Sequence, residues 1–121
     1  MTTDGAAVFQ QVAEDLAQGR LVDAEREGIA VRWSLRELAK RAPGRSVEVR
    51  IPPYGAVQVI TGTTHRRGTP SAVVQTDGST WLALAAGRLT WAQAEASGNL
   101  QASGERSDLS GYLPLTNASS R

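Results

Sequence analysis

Apolar residues fall at Phe9, Val12, Ala13 and Leu16, the i, i+3, i+4, i+7 spacing of a helix. Asp4 is a ready cap for it, and Gly19 a natural stop. Leu21 to Gly28 is a charged connector that can already be helical, with Asp23 as a second cap. The next helix must end by Ala42, because Pro43 and Gly44 follow. At 100° per residue, Ala24, Gly28, Val31, Leu35, Leu38 and Ala42 share one stripe, the core face. Ile29 and Trp33 point the opposite way, among Arg26, Arg36 and Lys40. The plain partner for that outward tryptophan is the first helix, whose Glu14 and Asp15 can meet the arginines. The sharper one is an anionic membrane surface.

From Ser46 the period changes to two. Val47, Val49 and Ile51 face one way and Ser46, Glu48 and Arg50 the other, a half-buried strand. Pro52-Pro53-Tyr54-Gly55 reads as a turn with Pro53 at position i+1. Ala56 to Thr61 is then the antiparallel partner strand. Residues 62–70 are a polar loop, and Ala72 to Thr76 a third strand whose Val73–Val74 pair suggests burial on both faces. Asp77 or Ser79 caps a helix holding Trp81, Leu82, Leu84 and Ala85, which Gly87 ends. Thr90 and Gln93 have capping-box spacing, so another short helix opens there and closes at Gly98. Leu100 to Ser103 is a short strand. A last helix carries Leu109 and Leu113, and residues 116–121 read as a frayed tail. The chain is thus one α+β domain: N-terminal helices, a mainly antiparallel sheet of about four to five strands, two short helices before the last strand, and a C-terminal helix.

Composition narrows the function by exclusion. A chain of 121 residues buries about two-thirds of its unfolded surface, enough for one core and one ligand cavity. Net charge +1 gives no case for nucleic acid. Twelve of its thirteen basic residues are arginine, a bias that suggests a GC-rich bacterial genome. There is no cysteine, hence no disulfide, thiolate or zinc knuckle. The N-terminus lacks a signal-peptide pattern, and no window approaches a membrane span, so the expected location is the cytosol. His65 is the single histidine, which rules out a two-histidine metal site within one chain. G-x-S-x-G, the phosphate loop and the dinucleotide fingerprint are all absent. No enzyme, metal or cofactor is therefore expected.

Two positive signals remain. Arg66 and Arg67, beside His65 and near Arg50, are of the type that clamps a carboxylate or phosphate; the plainer role is a charged edge that discourages strand pairing. Trp33, Trp81 and Trp91 are the other signal, the last two at the starts of successive helices where their rings can lie over the sheet. Core filling explains them simply. A cavity would require that the alanines beside them leave space for an apolar ligand.

Some segments carry a resemblance. Leu84 to Ala94 (LAAGRLTWAQA), followed by Gly98 to Gly104 (GNLQASG), is similar to the helix–turn–helix–strand run of sterol carrier protein 2 domains. Pro43 to Gln58 (PGRSVEVRIPPYGAVQ), His65 to Pro70 (HRRGTP) and Asp108 to Leu115 (DLSGYLPL) resemble the short bacterial sterol-carrier-like proteins. The chain departs from the family in carrying Glu95 after Ala94, where a phenylalanine is common. The resemblance places residues 1–28 as an added helix and connector and 29–115 as the sterol-carrier-like unit. It implies a non-catalytic lipid- or fatty-acyl-binding carrier with an apolar cavity between sheet and helices. Trp33, Trp81, Leu84, Trp91, Leu100, Leu109 and Leu113 would line or floor that cavity, with Arg50, Arg66 or Arg67 at its mouth. The partner would be an apolar small molecule such as a fatty acid, acyl chain or phospholipid, with peripheral membrane contact as a further use. The alternatives are an accessory domain for a separate enzyme chain, as in relatives of mycothiol-dependent maleylpyruvate isomerase, and a homodimer through the Ile29/Trp33 face.

Overall fold

The computed structural model describes residues 4–62, 72–104 and 107–115. Helix α1 spans Gly5–Ala17; the Asp4 carboxylate accepts from the Ala6 and Ala7 amides at its start. Helix α2 spans Ala24–Arg41 and is capped by Asp23, so residues 24–28 are continuous with the helix that follows. Asp15 meets Arg26 and Gly5 meets Trp33, so the two helices run antiparallel.

Strands β1 (Val47–Ile51), β2 (Gly55–Val59), β3 (Ala72–Thr76) and β4 (Leu100–Gly104) form one sheet in the order β2-β1-β3-β4. The β1–β2 and β3–β4 pairs are antiparallel, and the central β1–β3 pair is parallel. Because β1 and β3 are parallel, both finish at the same end of the sheet. Register puts Val47, Val49, Ile51, Val59, Ala72, Val74, Thr76 and Leu100 on one face, and all are buried. Glu48, Arg50, Gln58, Val73, Gln75 and Gln101 share the other, which is half-buried or exposed. Val73 is therefore only half-covered, a correction to the expected two-sided burial: its neighbours on that face are Glu48 and Ser103.

The turn after β1 also differs from expectation. The Tyr54 amide donates to the Ile51 carbonyl at 2.8 Å, and the Pro52–Pro53 bond is cis. Pro53 thus sits at i+2 of a turn that starts on Ile51, rather than at i+1. Strand β2 stops at Val59, before the expected Thr61, because Ile60 adopts φ 67° and turns the chain. Gly44 lies against that bend, where a Cβ would collide with the Ile60 carbonyl, so only glycine fits.

Helix α3 spans Gly78–Ala85 with Asp77 as its cap, and α4 spans Trp91–Ser97 with the full Thr90–Gln93 capping box. Leu109 anchors a single 3₁₀ turn over Ser110–Tyr112, shorter than the expected closing helix. Pro114, which has no amide hydrogen, stops any continuation. The Leu115 amide then donates to the Ala85 carbonyl at 2.8 Å, clipping the C-terminal segment to the end of α3. One apolar cluster joins the inner sheet face, α2, α3, α4 and the buried residues of α1.

Candidate functional site

The layer between sheet and helices contains most of the residues expected to line a ligand. Trp81, Leu84, Trp91, Leu100 and Leu109 are buried in the shared cluster, and Leu113 and Trp33 are partly buried against it. Trp81 is fully enclosed, and its indole Nε1 donates to Ser34 Oγ at 2.8 Å. Ser34 Oγ in turn donates to the Val31 carbonyl at 2.8 Å, so both polar atoms are satisfied inside the core. Among the described residues no buried side-chain polar atom lacks a partner. This holds the Trp81 ring in one place in the core. Ala86, Leu89 and Leu113 are partly buried against the same cluster, and the C-terminal segment crosses the end of α3, where Pro114 lies against Gly87.

Trp33 stands on a neighbouring face of α2, its ring 5.1 Å from that of Phe9. It packs between helices, away from the layer where a ligand wall was expected, because its position on the helix faces α1. The same contact covers Trp33 on the face where a homodimer through Ile29 and Trp33 was considered. Arg50 lies on the outer sheet face, where its guanidinium pairs with Glu48 at 2.9 Å. Strand alternation turns it away from Val49 and Ile51, so it does not guard a mouth between sheet and helices. His65, Arg66 and Arg67 lie outside the described residues.

A second, polar place was not expected from the sequence. At the end of the sheet where β1 and β3 both finish, Pro52, Gln75, Thr76, Asp77, Asn99 and Gln101 line an open depression of about 240 Å³. Gln75 and Gln101 are cross-strand partners, which sets their amides side by side. Burial works against the Asp77 charge, but the Thr80 amide and the Thr80 and Ser79 hydroxyls donate to it and together hold its carboxyl below the usual range. Next to it, Glu27 rests on Gly78 beside the Tyr54 ring. Burial, and then the Asp77 charge, push the Glu27 carboxyl up. Burial and the Glu27 charge likewise raise Tyr54, with Arg32 opposing. Asp77 was legible as a helix cap; nothing in the sequence linked it to Glu27, fifty residues away. The depression presents amide donors and acceptors to a polar group, and the described residues include no cluster of metal-binding type.

A family model described as a bacterial SCP ortholog, SCP standing for sterol carrier protein, matches residues 23–115. No curated protein matches the chain. Among the described residues no helix is long and apolar enough to cross a membrane.

Proposed function

The chain belongs to the bacterial SCP-ortholog family, and on that premise we propose that it is a non-catalytic carrier of fatty acids or other acyl lipids in the cytosol. The family suggests a lipid-binding, carrier-type domain. The observation that carries the reading to this chain is the tryptophan- and leucine-rich layer between the inner sheet face and helices α3 and α4. In this reading the acyl chain lies along Leu84, Trp91 and Leu100, over a wall formed by Trp81. The partly buried Leu89 and Leu113 are its way in, and the small side chains of Ala85 and Ala94 limit what must move to admit it. The driving force is apolar burial, about 25 cal/mol per Å². A mid-chain acyl group covering about 300 Å² would on that basis bind at micromolar strength once ordering costs are deducted.

Native mass spectrometry of gently purified protein, with displacement of a fluorescent fatty acid, tests this. A co-purifying mass of acyl-lipid size and micromolar displacement are expected. Apo protein alone together with no displacement overturns it, and a stoichiometric enzyme recovered without lipid would replace it with the accessory-domain reading.

A further inference from the structure

Three primary amides around the depression at the end of the sheet have no use inside the protein. Among the described residues, the side chains of Gln75, Asn99 and Gln101 hydrogen-bond to no other group, although all three line the same space. Their spacing is fixed by the backbone. Gln75 and Gln101 are cross-strand partners near the end of β3 and the start of β4. Thr76 Oγ1 donates to the Asn99 carbonyl at 2.6 Å, which ties the entry of β4 to the end of β3. Arg50 stands in register beside Gln75, but its guanidinium is directed onto Glu48 by two hydrogen bonds, of 3.1 and 2.9 Å.

Asp77 adds a fixed acceptor to this lining. Its Oδ1 accepts from the Ser79 hydroxyl at 3.0 Å and the Thr80 amide at 2.7 Å, and its Oδ2 from the Thr80 hydroxyl at 3.0 Å. A carboxylate has about four lone-pair positions, so Oδ2 keeps room for one further donor. Pro52 supplies the one apolar ring. This set discriminates among ligands. With Arg50 turned onto Glu48 and Asp77 charged, an anion is repelled. A hard cation takes several oxygen ligands, commonly more than one carboxylate, and the described residues hold no such cluster. An acyl chain would find no leucine, valine or aromatic side chain to cover it. A neutral group dense in hydroxyls fits, because each hydroxyl donates and accepts, as each side-chain amide does.

We propose that this depression is a binding site for one neutral sugar ring, whose adjacent hydroxyls are held between the Gln75, Asn99 and Gln101 amides and the Asp77 carboxylate, with a C–H face of the ring on Pro52. The amides supply donors and acceptors side by side, the pattern that a pair of neighbouring hydroxyls requires. A volume of about 240 Å³, open to solvent, admits one ring and leaves anything attached to it outside. The ring is therefore a free monosaccharide or the end of a longer glycan. Because water competes for every one of these hydrogen bonds, affinity should be near about 1 mM. Gln75 and Gln101 stand on the outer face of the sheet, away from the layer between sheet and helices. The site thus stands or falls separately from the carrier reading.

The test is an NMR titration of the intact chain, without fatty acid, that follows the side-chain amide signals of Gln75, Asn99 and Gln101. The probes are the methyl glycosides of glucose, galactose and mannose, with maltose and lactose as disaccharides. Saturable shifts of those amides by at least one probe, half-complete near about 1 mM, are expected. A disaccharide that binds at least as tightly as its methyl glycoside assigns the end of a glycan; binding of methyl glycosides alone assigns a free sugar. Asp77→Asn keeps a capping side chain and Gln101→Ala changes an exposed residue, so both should fold, and each should weaken binding about fivefold or more. Gln75→Ala combined with Gln101→Ala should abolish it while leaving fatty-acid displacement unchanged. No shift with any probe up to about 100 mM, equal shifts with glycerol at matched hydroxyl concentration, or unchanged affinity in the double variant would each overturn the proposal. Failure of fatty-acid displacement alone would overturn only the carrier reading.

Discussion

Two tryptophans on neighbouring faces of α2, Trp81 bonded to Ser34 and Trp33 against Phe9, mark two different kinds of helix contact. At the α2–α3 seam, Trp81 is sealed and tied by a buried hydrogen bond to Ser34. At the α1–α2 seam, Trp33 is half-buried against Phe9, and the ion pair that crosses the seam, Asp15–Arg26, is partly exposed. The first seam lies inside the family unit and the second at its margin. A buried, directional bond fixes one arrangement; apolar contact rimmed by solvated charge leaves the fit of the second seam to packing.

The contrast is tested most strongly at Trp81. Replacing it with alanine removes a large side chain that the rigid sheet and α2 cannot collapse to fill, so a loss of about 3–5 kcal/mol is expected in urea unfolding. Phe9→Ala should cost at most about 3 kcal/mol, the transfer term alone, because α1 can lift away instead of leaving a hole. The discriminating sign is amide exchange: Phe9→Ala should deprotect residues 5–17 and leave α3 intact, whereas Trp81→Ala should loosen every element. Uniform loosening by both would erase the distinction between the seams.

A third variant sharpens it. Ser34→Ala strands the Trp81 indole N–H in the core and should cost about 1–3 kcal/mol. Ser34→Thr, which keeps a hydroxyl, should recover part of that if the methyl is accommodated. A Ser34→Ala protein as stable as the natural chain would mean that the bond contributes packing order but little free energy.

How far the sequence foretold these seams depends on the range of each contact. The Phe9–Leu16 stripe, the outward Trp33 and the acids on α1 named the α1–α2 pairing, and the Asp15–Arg26 contact follows from them. The β1 alternation and the Thr90–Gln93 box were equally readable, since each is settled within a few residues. Ser34 was invisible as the partner of Trp81 because forty-seven residues separate them, and a lone serine in a helix has no signature. Arg50 illustrates a different failure. Its alternation already placed it on the polar face, but the expected role at a cavity mouth came from its charge, and the geometry follows the alternation. The turn at Pro53 depended on a backbone isomer that side-chain pattern does not encode.

The smallest expected effect is also the most specific, because Glu27 beside the α3 cap should titrate in the opposite sense to the acids of α1. At the α1 side, hydrogen bonds from Gln11 and Arg20, then Arg26, hold the Asp15 carboxyl below its ordinary value, and Gln18 with Arg88 does the same for Glu14. A depressed carboxyl adds stability that is present at neutral pH and is lost as pH falls through the lowered folded value. At the α2–α3 side, burial and the Asp77 charge raise Glu27. A raised carboxyl adds stability below its unfolded value, and that contribution disappears as pH rises through the folded value. Mild acidification from neutral should therefore raise Tm slightly as Glu27 takes its proton, and stronger acid should lower it as Asp15, Glu14 and Asp77 follow. Glu27→Gln should raise Tm at neutral pH and remove the initial rise, leaving a profile that only falls with acid. Glu14→Gln with Asp15→Asn should leave the rise intact and soften the fall. If Glu27→Gln instead lowers Tm at every pH, the Glu27 charge is used favourably at the α3 cap, and the opposition between Glu27 and the acids of α1 is lost.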